Sequence, residues 1–164
     1  MKLLLLSILT SILFSDSIKN MKYELEHLSP AQLYIMNEIF KKAEPFDYGY
    51  TMVAIAWQES HFGKYQINLS DPSCGIFHVM PKYISKSKWG QSRICERLIS
   101  DFDFSFTQSL EKLKYFENYH KSKGHSKIWS RTVQSYNAGF NSNKGIKYLN
   151  DIKTKIKLLK NIYK

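Results

Sequence analysis

Cysteine is scarce in this sequence, and internal repeats and low-complexity tracts are absent from it. The two cysteines, Cys74 and Cys95, have no cluster of histidines around them, which argues against a structural zinc site. Alternation of polar and apolar residues, the pattern of half-buried strands, is also missing, apart from a small hairpin that we expect between Gln66 and Val79. These absences favour a mainly helical fold without a metal site.

Long apolar runs are limited to the N-terminus. Lys2 precedes the apolar residues 3–14, and this run is too short to span a bilayer comfortably as a permanent helix. Small residues follow at 15 and 17, the two positions that a signal peptidase reads, and no cysteine follows that would carry a lipid anchor. We therefore predict a signal peptide at residues 1–17 and one folded domain at 18–164, located in the periplasm or secreted.

Acidic residues are few compared with basic ones. The chain has 24 Lys and Arg against 14 Asp and Glu, a formal net charge of +10. An exported basic protein favours an anionic partner such as cell-wall polymer or phospholipid head groups over nucleic acid, although many lysines only solvate a surface. Export is also compatible with a disulfide between Cys74 and Cys95, but the sequence alone leaves their pairing open.

Helical periodicity dominates the remainder of the chain. Ser29 and Pro30 begin a helix, because a hydroxyl cap, a proline at the first position and Gln32 three residues after the cap form a capping box. The last helix has apolar residues on one side and lysines around the other, so it packs on the core and contacts a membrane at most peripherally. Residues 61–90 are predicted to be mostly loop, and further helices are predicted at residues 93–100, 103–120, 128–138 and 144–163.

The stretch of residues 51–60 stands out within this pattern. Residues 51–57 carry no charge on any face, so this helix belongs inside the core and Glu59 leaves the core near the helix end. Partial burial and the negative end of the helix dipole both favour the protonated form of such a carboxyl group. A protonated carboxyl group is the general acid that glycosidic bond cleavage requires. The simpler interpretation is an exposed glutamate at a helix end without a chemical role.

Three short motifs follow one another in the chain. Residues 59–62 read ESHF, residues 75–81 read GIFHVMP, and residues 135–139 read SYNAG. In this order and spacing they resemble the motifs of lytic transglycosylases of the soluble (SLT) type, and the segment YLNDI at residues 148–152 is similar to the closing segment of that family. The resemblance extends from about residue 48 to the C-terminus.

The resemblance implies a lysozyme-like, mainly α-helical single domain, with a very small β-hairpin at most, and a cleft that binds peptidoglycan glycan strands. The family cleaves the bond between N-acetylmuramic acid and N-acetylglucosamine without adding water, and forms a 1,6-anhydromuramic acid end. It needs no cofactor. Glu59 then acts both as acid and as base, whereas ordinary glycosidases use two carboxyl groups.

The motif match also implies which residues contact or orient the glycan. Hydroxyl groups would orient the sugar and the acid, a glycine would allow close approach of the glycan, and other side chains would form the cleft wall or shape a turn. A histidine stands where the family usually has glutamine, so it either keeps the hydrogen-bonding role or makes activity sensitive to pH. The implied substrate-binding residues are Ser60, Gly75, His78, Met80, Tyr136, Asn137 and Tyr148.

Two other functions remain open at this point. A hydrolysing muramidase of the goose-lysozyme kind would share the acid but recruit a further carboxylate, for which Asp71, Asp101 and Asp103 are available. A non-catalytic wall-binding component of a secretion system would not need Glu59. The short chain resembles specialised enzymes that open the wall for type IV secretion or conjugation, so a component of such an apparatus is an expected partner.

Overall fold

Helices account for most of residues 17–162, the part of the chain that the computed structural model describes. Residues 1–16, and with them almost all of the predicted signal peptide, lie outside this part. A first helix, α1, covers residues 17–26. The longer helices after it are α2 (Pro30–Ala43), α3 (Gly49–Ser60), α4 (Lys88–Ser100), α5 (Phe102–Ser122), α6 (Ile128–Ala138) and α7 (Ile146–Ile162), with 3-10 turns at Glu44–Phe46, Pro81–Tyr83 and Ser142–Gly145.

Helix α3 forms the centre of the core. Every side chain from Met52 to Ala56 is completely buried, with α2 and α7 as the main neighbours of the helix. Polar contacts fix it further, since the Trp129 indole of α6 donates to the Thr51 hydroxyl over 3.0 Å. The prediction that an uncharged helix lies inside the core is therefore confirmed. No helix within residues 17–162 is long and apolar enough to cross a bilayer.

Most helix boundaries agree with the sequence within one or two residues, and the start of α4 differs by more. The capping box is present, with the Gln32 backbone N–H donating to the Ser29 hydroxyl and the Ser29 N–H donating to the Gln32 side chain. Helix α6 covers the predicted residues. Helix α4, predicted at 93–100, begins instead at Lys88, because the Ser87 hydroxyl caps it by accepting from the N–H of Gly90 at 3.0 Å.

Helix α7 packs as predicted, with one unexpected residue on its inner side. Leu149, Ile152 and Leu159 are buried, but so is Lys155, which is 6% exposed. The Lys155 ammonium lies 4.8 Å from the centroid of the Trp57 ring, where its alkyl stem fills the core and its charge interacts with the ring. The prediction that the lysines of α7 lie on its outer side is therefore wrong for Lys155.

The predicted hairpin is confirmed, and it is held to the helices by a disulfide. Strands β1 (Ile67–Asn68) and β2 (Ser73–Cys74) pair antiparallel, with Ile67 opposite Cys74. Cys74 exchanges two backbone hydrogen bonds of 3.0 Å with Val79, which closes the turn between them. A bond from Cys74 to Cys95 of α4, with a Cα separation of 5.3 Å, then joins this turn to α4. The structure thus settles the pairing that the sequence left open.

We expect removal of this disulfide to lower the free energy of unfolding. The bond closes a loop with a sequence separation of 21 residues, for which the chain-entropy model gives about 3 kcal/mol. Urea denaturation of the double variant C74A/C95A should show this loss. The parent protein should fall to the same stability in reductant, whereas reductant should leave the double variant unchanged; a parent protein indifferent to reductant would contradict the prediction.

Candidate active site

Glu59 lies in the last turn of α3 with 17% of its side chain exposed. Its Oε1 accepts a hydrogen bond of 2.6 Å from the hydroxyl of Tyr148 on α7. Its Oε2 lies 3.5 Å from Nδ1 of His78. The carboxyl group thus leaves the core at a helix end, as the sequence predicts, and remains partly accessible between two polar side chains.

His78 approaches Glu59 from the turn after β2. Its Nε2 lies 2.7 Å from the carbonyl oxygen of Tyr65, which can only accept, so Nε2 carries the hydrogen. Its Nδ1 therefore faces Oε2 of Glu59 either as an imidazolium beside a carboxylate or as a bare nitrogen. Burial lowers the pKa of His78, but the hydrogen bonds to Glu59 and Tyr65 and the charge of Glu59 outweigh burial and raise it overall.

Tyr148 and Tyr136 are both hydrogen-bond donors inside the site. Burial, with the Glu59 charge as the next cause, raises the pKa of each phenol, so both keep their protons. The Tyr136 hydroxyl donates to the carbonyl of Phe77 at 3.0 Å and lies 2.9 Å from the Ser109 hydroxyl. The direct hydrogen bond to the acid thus comes from Tyr148, while Tyr136 holds the turn that carries His78.

Ser60 and Gly75 lie inside the fold rather than at its surface. Ser60 is completely buried, and its hydroxyl donates to the carbonyl of Ile76 at 2.7 Å and accepts from the N–H of Gly63 at 2.8 Å. A side chain on Gly75 would collide with the backbone carbonyl of Leu98. We expected Ser60 to orient the sugar and the acid and Gly75 to let the glycan approach closely. Instead, both residues position the loops beside Glu59, and the lack of a side chain at Gly75 allows α4 to pack closely against it.

Met80 and Asn137, the two remaining predicted residues, lie close in sequence to His78 and Tyr136. Met80 is half-buried directly before the 3-10 turn at Pro81–Tyr83, and Asn137 is exposed near the end of α6. No hydrogen bond joins either residue to Glu59 within the described part of the chain. Their place on the cleft wall stays a prediction.

Lys112 of α5 also belongs to this site, although the motifs did not point to it. Its Nζ lies 4.3 Å from the centroid of the Tyr136 ring. Burial lowers the pKa of Lys112, and the charges of Glu59 and Asp71 act in the opposite direction. A signal was present in the sequence, because Ser105, Ser109 and Lys112 form a polar line, spaced by four and three residues, on one side of a helix.

Two pockets lie elsewhere on the surface, and Glu59 lines neither of them. One of about 620 Å³ lies at the start of α3 beside Trp129, and one of about 410 Å³ lies between α1, α3 and α7 beside Lys155. At 1.5 Å per residue, the first pocket is roughly 14 Å along α3 from Glu59.

No three His, Cys, Asp or Glu side chains in residues 17–162 are arranged to hold a metal ion. The site is therefore assigned by its chemistry and not by cavity size.

The mainly helical fold, with a partly buried carboxyl group at the end of its central helix, agrees with the lysozyme-like class to which the family match assigns the chain. The sequence model described as Transglycosylase SLT domain matches residues 39–159, most of the chain, and the protein belongs to that family. Membership implies peptidoglycan binding and lytic transglycosylase activity. Comparison with curated proteins and with solved structures gave no significant match.

The raised pKa of His78 predicts a pH-dependent contribution to stability. Protonated His78 stabilises the folded state fully below the unfolded value of about 6.5, and this contribution is lost as the pH rises through the higher folded value. The variant H78Q should therefore lose more unfolding free energy at about pH 5.5 than at about pH 8.5. Chemical denaturation at both pH values measures the difference.

The same measurement in an E59Q background is the control. Without the carboxylate, the pH dependence of the H78Q effect should shrink, because the coupling between the two groups is removed. A loss that is equal at both pH values in the native background would disprove the assigned interaction.

Gly75 offers a separate test of the packing beside the site. Gly75 and Gly124 have φ values of +79° and +64°, so alanine is strained at both positions. Only at Gly75 would the new methyl group collide with backbone, since nothing lies within 4 Å at Gly124. We expect G75A to destabilise the protein by about 1–3 kcal/mol more than G124A. Equal thermal unfolding of the two variants would refute the packing explanation.

Proposed function

We propose that this protein is a peptidoglycan lytic transglycosylase in which Glu59 is the catalytic acid and then the catalytic base. The observation that supports this most is the placement of the Glu59 carboxyl group. Tyr148 donates to its Oε1 at 2.6 Å, and the group keeps 17% exposure from which it can reach a glycan. A partly buried acid with one fixed oxygen is suited to transfer a proton in a defined direction.

In the first step Glu59 donates its proton to the oxygen of the bond between N-acetylmuramic acid and N-acetylglucosamine. The bond from that oxygen to the muramic acid anomeric carbon breaks, and the oxygen leaves as a hydroxyl group. Positive charge develops at the anomeric carbon while Glu59 becomes a carboxylate. The hydrogen bond from Tyr148 then stabilises the negative charge on Oε1.

In the second step the 6-hydroxyl oxygen of the same muramic acid attacks the anomeric carbon. Its proton moves to the Glu59 carboxylate, which restores the acid for the next cycle. The product is a 1,6-anhydro sugar, and no water is consumed. A single carboxyl group is sufficient because the nucleophile belongs to the substrate.

The hydrolytic alternative has less support from the acidic side chains. Asp101 caps α5 by accepting from the Phe104 N–H at 2.9 Å and also contacts Arg97, and Asp103 pairs with Lys42 at 2.9 Å. Of the three aspartates, only Asp71, in the turn of the hairpin, interacts electrostatically with a residue of the site. A hydrolase would therefore have to rely on Asp71.

The cellular setting is proposed on more general grounds. The net charge of +10 suits an anionic wall polymer, and the disulfide between Cys74 and Cys95 suits an oxidising compartment outside the cytoplasm. Export by the N-terminal segment stays a prediction, as does a partner in a secretion or conjugation apparatus. Crosslinking in cells, followed by identification of captured proteins, would test the partnership.

We expect E59Q to lower the rate of glycan release from purified sacculi by at least about 100-fold, because the amide cannot donate the required proton. The measurement is the release of soluble muropeptides, with mass spectrometry of their ends. Anhydro ends support the lyase, and reducing ends support a hydrolase. Unchanged release by a folded E59Q variant would support the non-catalytic wall-binding alternative.

The matched control is D71N, which also exchanges a carboxylate for an amide close to the site. It should retain most of the activity and the anhydro product if the reaction uses one carboxyl group. Loss of activity in D71N as complete as in E59Q would favour the hydrolytic mechanism.

A further inference from the structure

Lys112 interacts electrostatically with the proposed acid, although none of the steps above uses it. It lies on α5 one turn after Ser109, whose hydroxyl contacts that of Tyr136 at 2.9 Å. Its own Nζ stands 4.3 Å from the centroid of the Tyr136 ring. The lysine thus lies against Tyr136 and interacts electrostatically with Glu59 and with Asp71 of the hairpin turn.

The environment of Lys112 differs from that of the lysines that form ion pairs. Lys121 lies 2.6 Å from Glu117 and Lys42 lies 2.9 Å from Asp103, whereas no carboxylate in residues 17–162 lies within 4.0 Å of the Lys112 ammonium. A half-buried cation without a counter-ion is costly, even with an aromatic ring beside it. An anion supplied by a bound ligand would remove that cost.

The charges around Lys112 favour the binding of such an anion when Glu59 is protonated and ready to react. Glu59 of α3 and Asp71 of the hairpin turn interact with it electrostatically, and the Tyr136 ring of α6 lies against it. When Glu59 carries the proton that it will donate, it is neutral, and Asp71 is the one remaining negative charge among these groups.

We propose that Lys112 is a specificity-determining residue that binds a carboxylate of the glycan strand close to the bond that Glu59 cleaves. This inference rests on the proposed function and adds to it a preference within the substrate. The carboxylate has two chemical sources in peptidoglycan. One is the lactyl group of muramic acid, which is free where the stem peptide has been removed, and the other is the stem peptide itself.

The test compares K112M with K112R and with K114M. Methionine keeps the length and most of the apolar stem of lysine, and arginine keeps the charge. Lys114 is a matched control, because it belongs to the same helix and its ammonium also lies over an aromatic ring, that of Phe46 at 3.7 Å. Thermal unfolding of each variant verifies that it is folded.

Three substrates separate the two sources of the carboxylate. They are glycan strands with intact stem peptides, peptide-free strands with free lactyl carboxylates, and peptide-free strands whose lactyl carboxylates are converted to neutral amides. On strands with the recognised carboxylate we expect K112M to raise KM about tenfold or more, with less effect at high salt. K112R and K114M should remain close to the parent protein.

Each outcome decides the proposal. A loss in K112M confined to peptide-free acidic strands identifies the lactyl carboxylate, and a loss confined to peptide-bearing strands identifies the stem carboxylate. An equal loss on the neutral amide strands, or no loss on any strand, overturns the proposal. The dissociation constants of E59Q and E59Q/K112M for the same strands measure the role of Lys112 without any turnover. A protein that binds these strands as expected but releases no anhydro product would therefore contradict the proposed lyase activity and leave the Lys112 inference intact.

Discussion

The burial of residues 51–57 of α3 is the constraint on which the remainder of the structure depends. A helix that is apolar on every side must be enclosed by its neighbours, and α2 and α7 do most of this. Polar contacts then fix its two ends, with Trp129 bonded to Thr51 at the start and the Gln32 side chain donating to the carbonyl of His61 at the end. Because neither end can shift, the carboxyl group of Glu59 emerges at one defined place.

The residues around Glu59 arrive there from separate parts of the chain, each held by its own packing. Tyr148 lies on α7, which must pack against α3 to enclose it. His78 lies on a turn that is fixed from two sides, by the hydrogen bond from Tyr136 to Phe77 and by the exchange of hydrogen bonds between Cys74 and Val79. The geometry of the site is therefore a consequence of core packing, and few of its contacts are local in sequence.

This explains why the sequence predicts the fold better than it predicts the site. Helix periods and caps are local, so α6, the capping box at Ser29 and the buried α3 could all be predicted. The contact between Tyr148 and Glu59 joins residues 89 positions apart, and the collision that excludes a side chain at Gly75 comes from α4. Motif matching located segments that meet around Glu59 in the structure, but it could not show which of their side chains are exposed and which face the core.

The disulfide supports the turn that places His78 next to the proposed acid. Cys74 directly precedes Gly75 and pairs with Val79, so the bond to Cys95 anchors to α4 the base of the turn that carries His78. The disulfide thus adds a covalent link to the hydrogen bond from Tyr136 to Phe77 and to the packing of Gly75 on α4. The raised pKa of His78 depends on its hydrogen bonds to Glu59 and to the Tyr65 carbonyl, so the contacts that hold this turn, the disulfide among them, also hold the imidazole next to the acid.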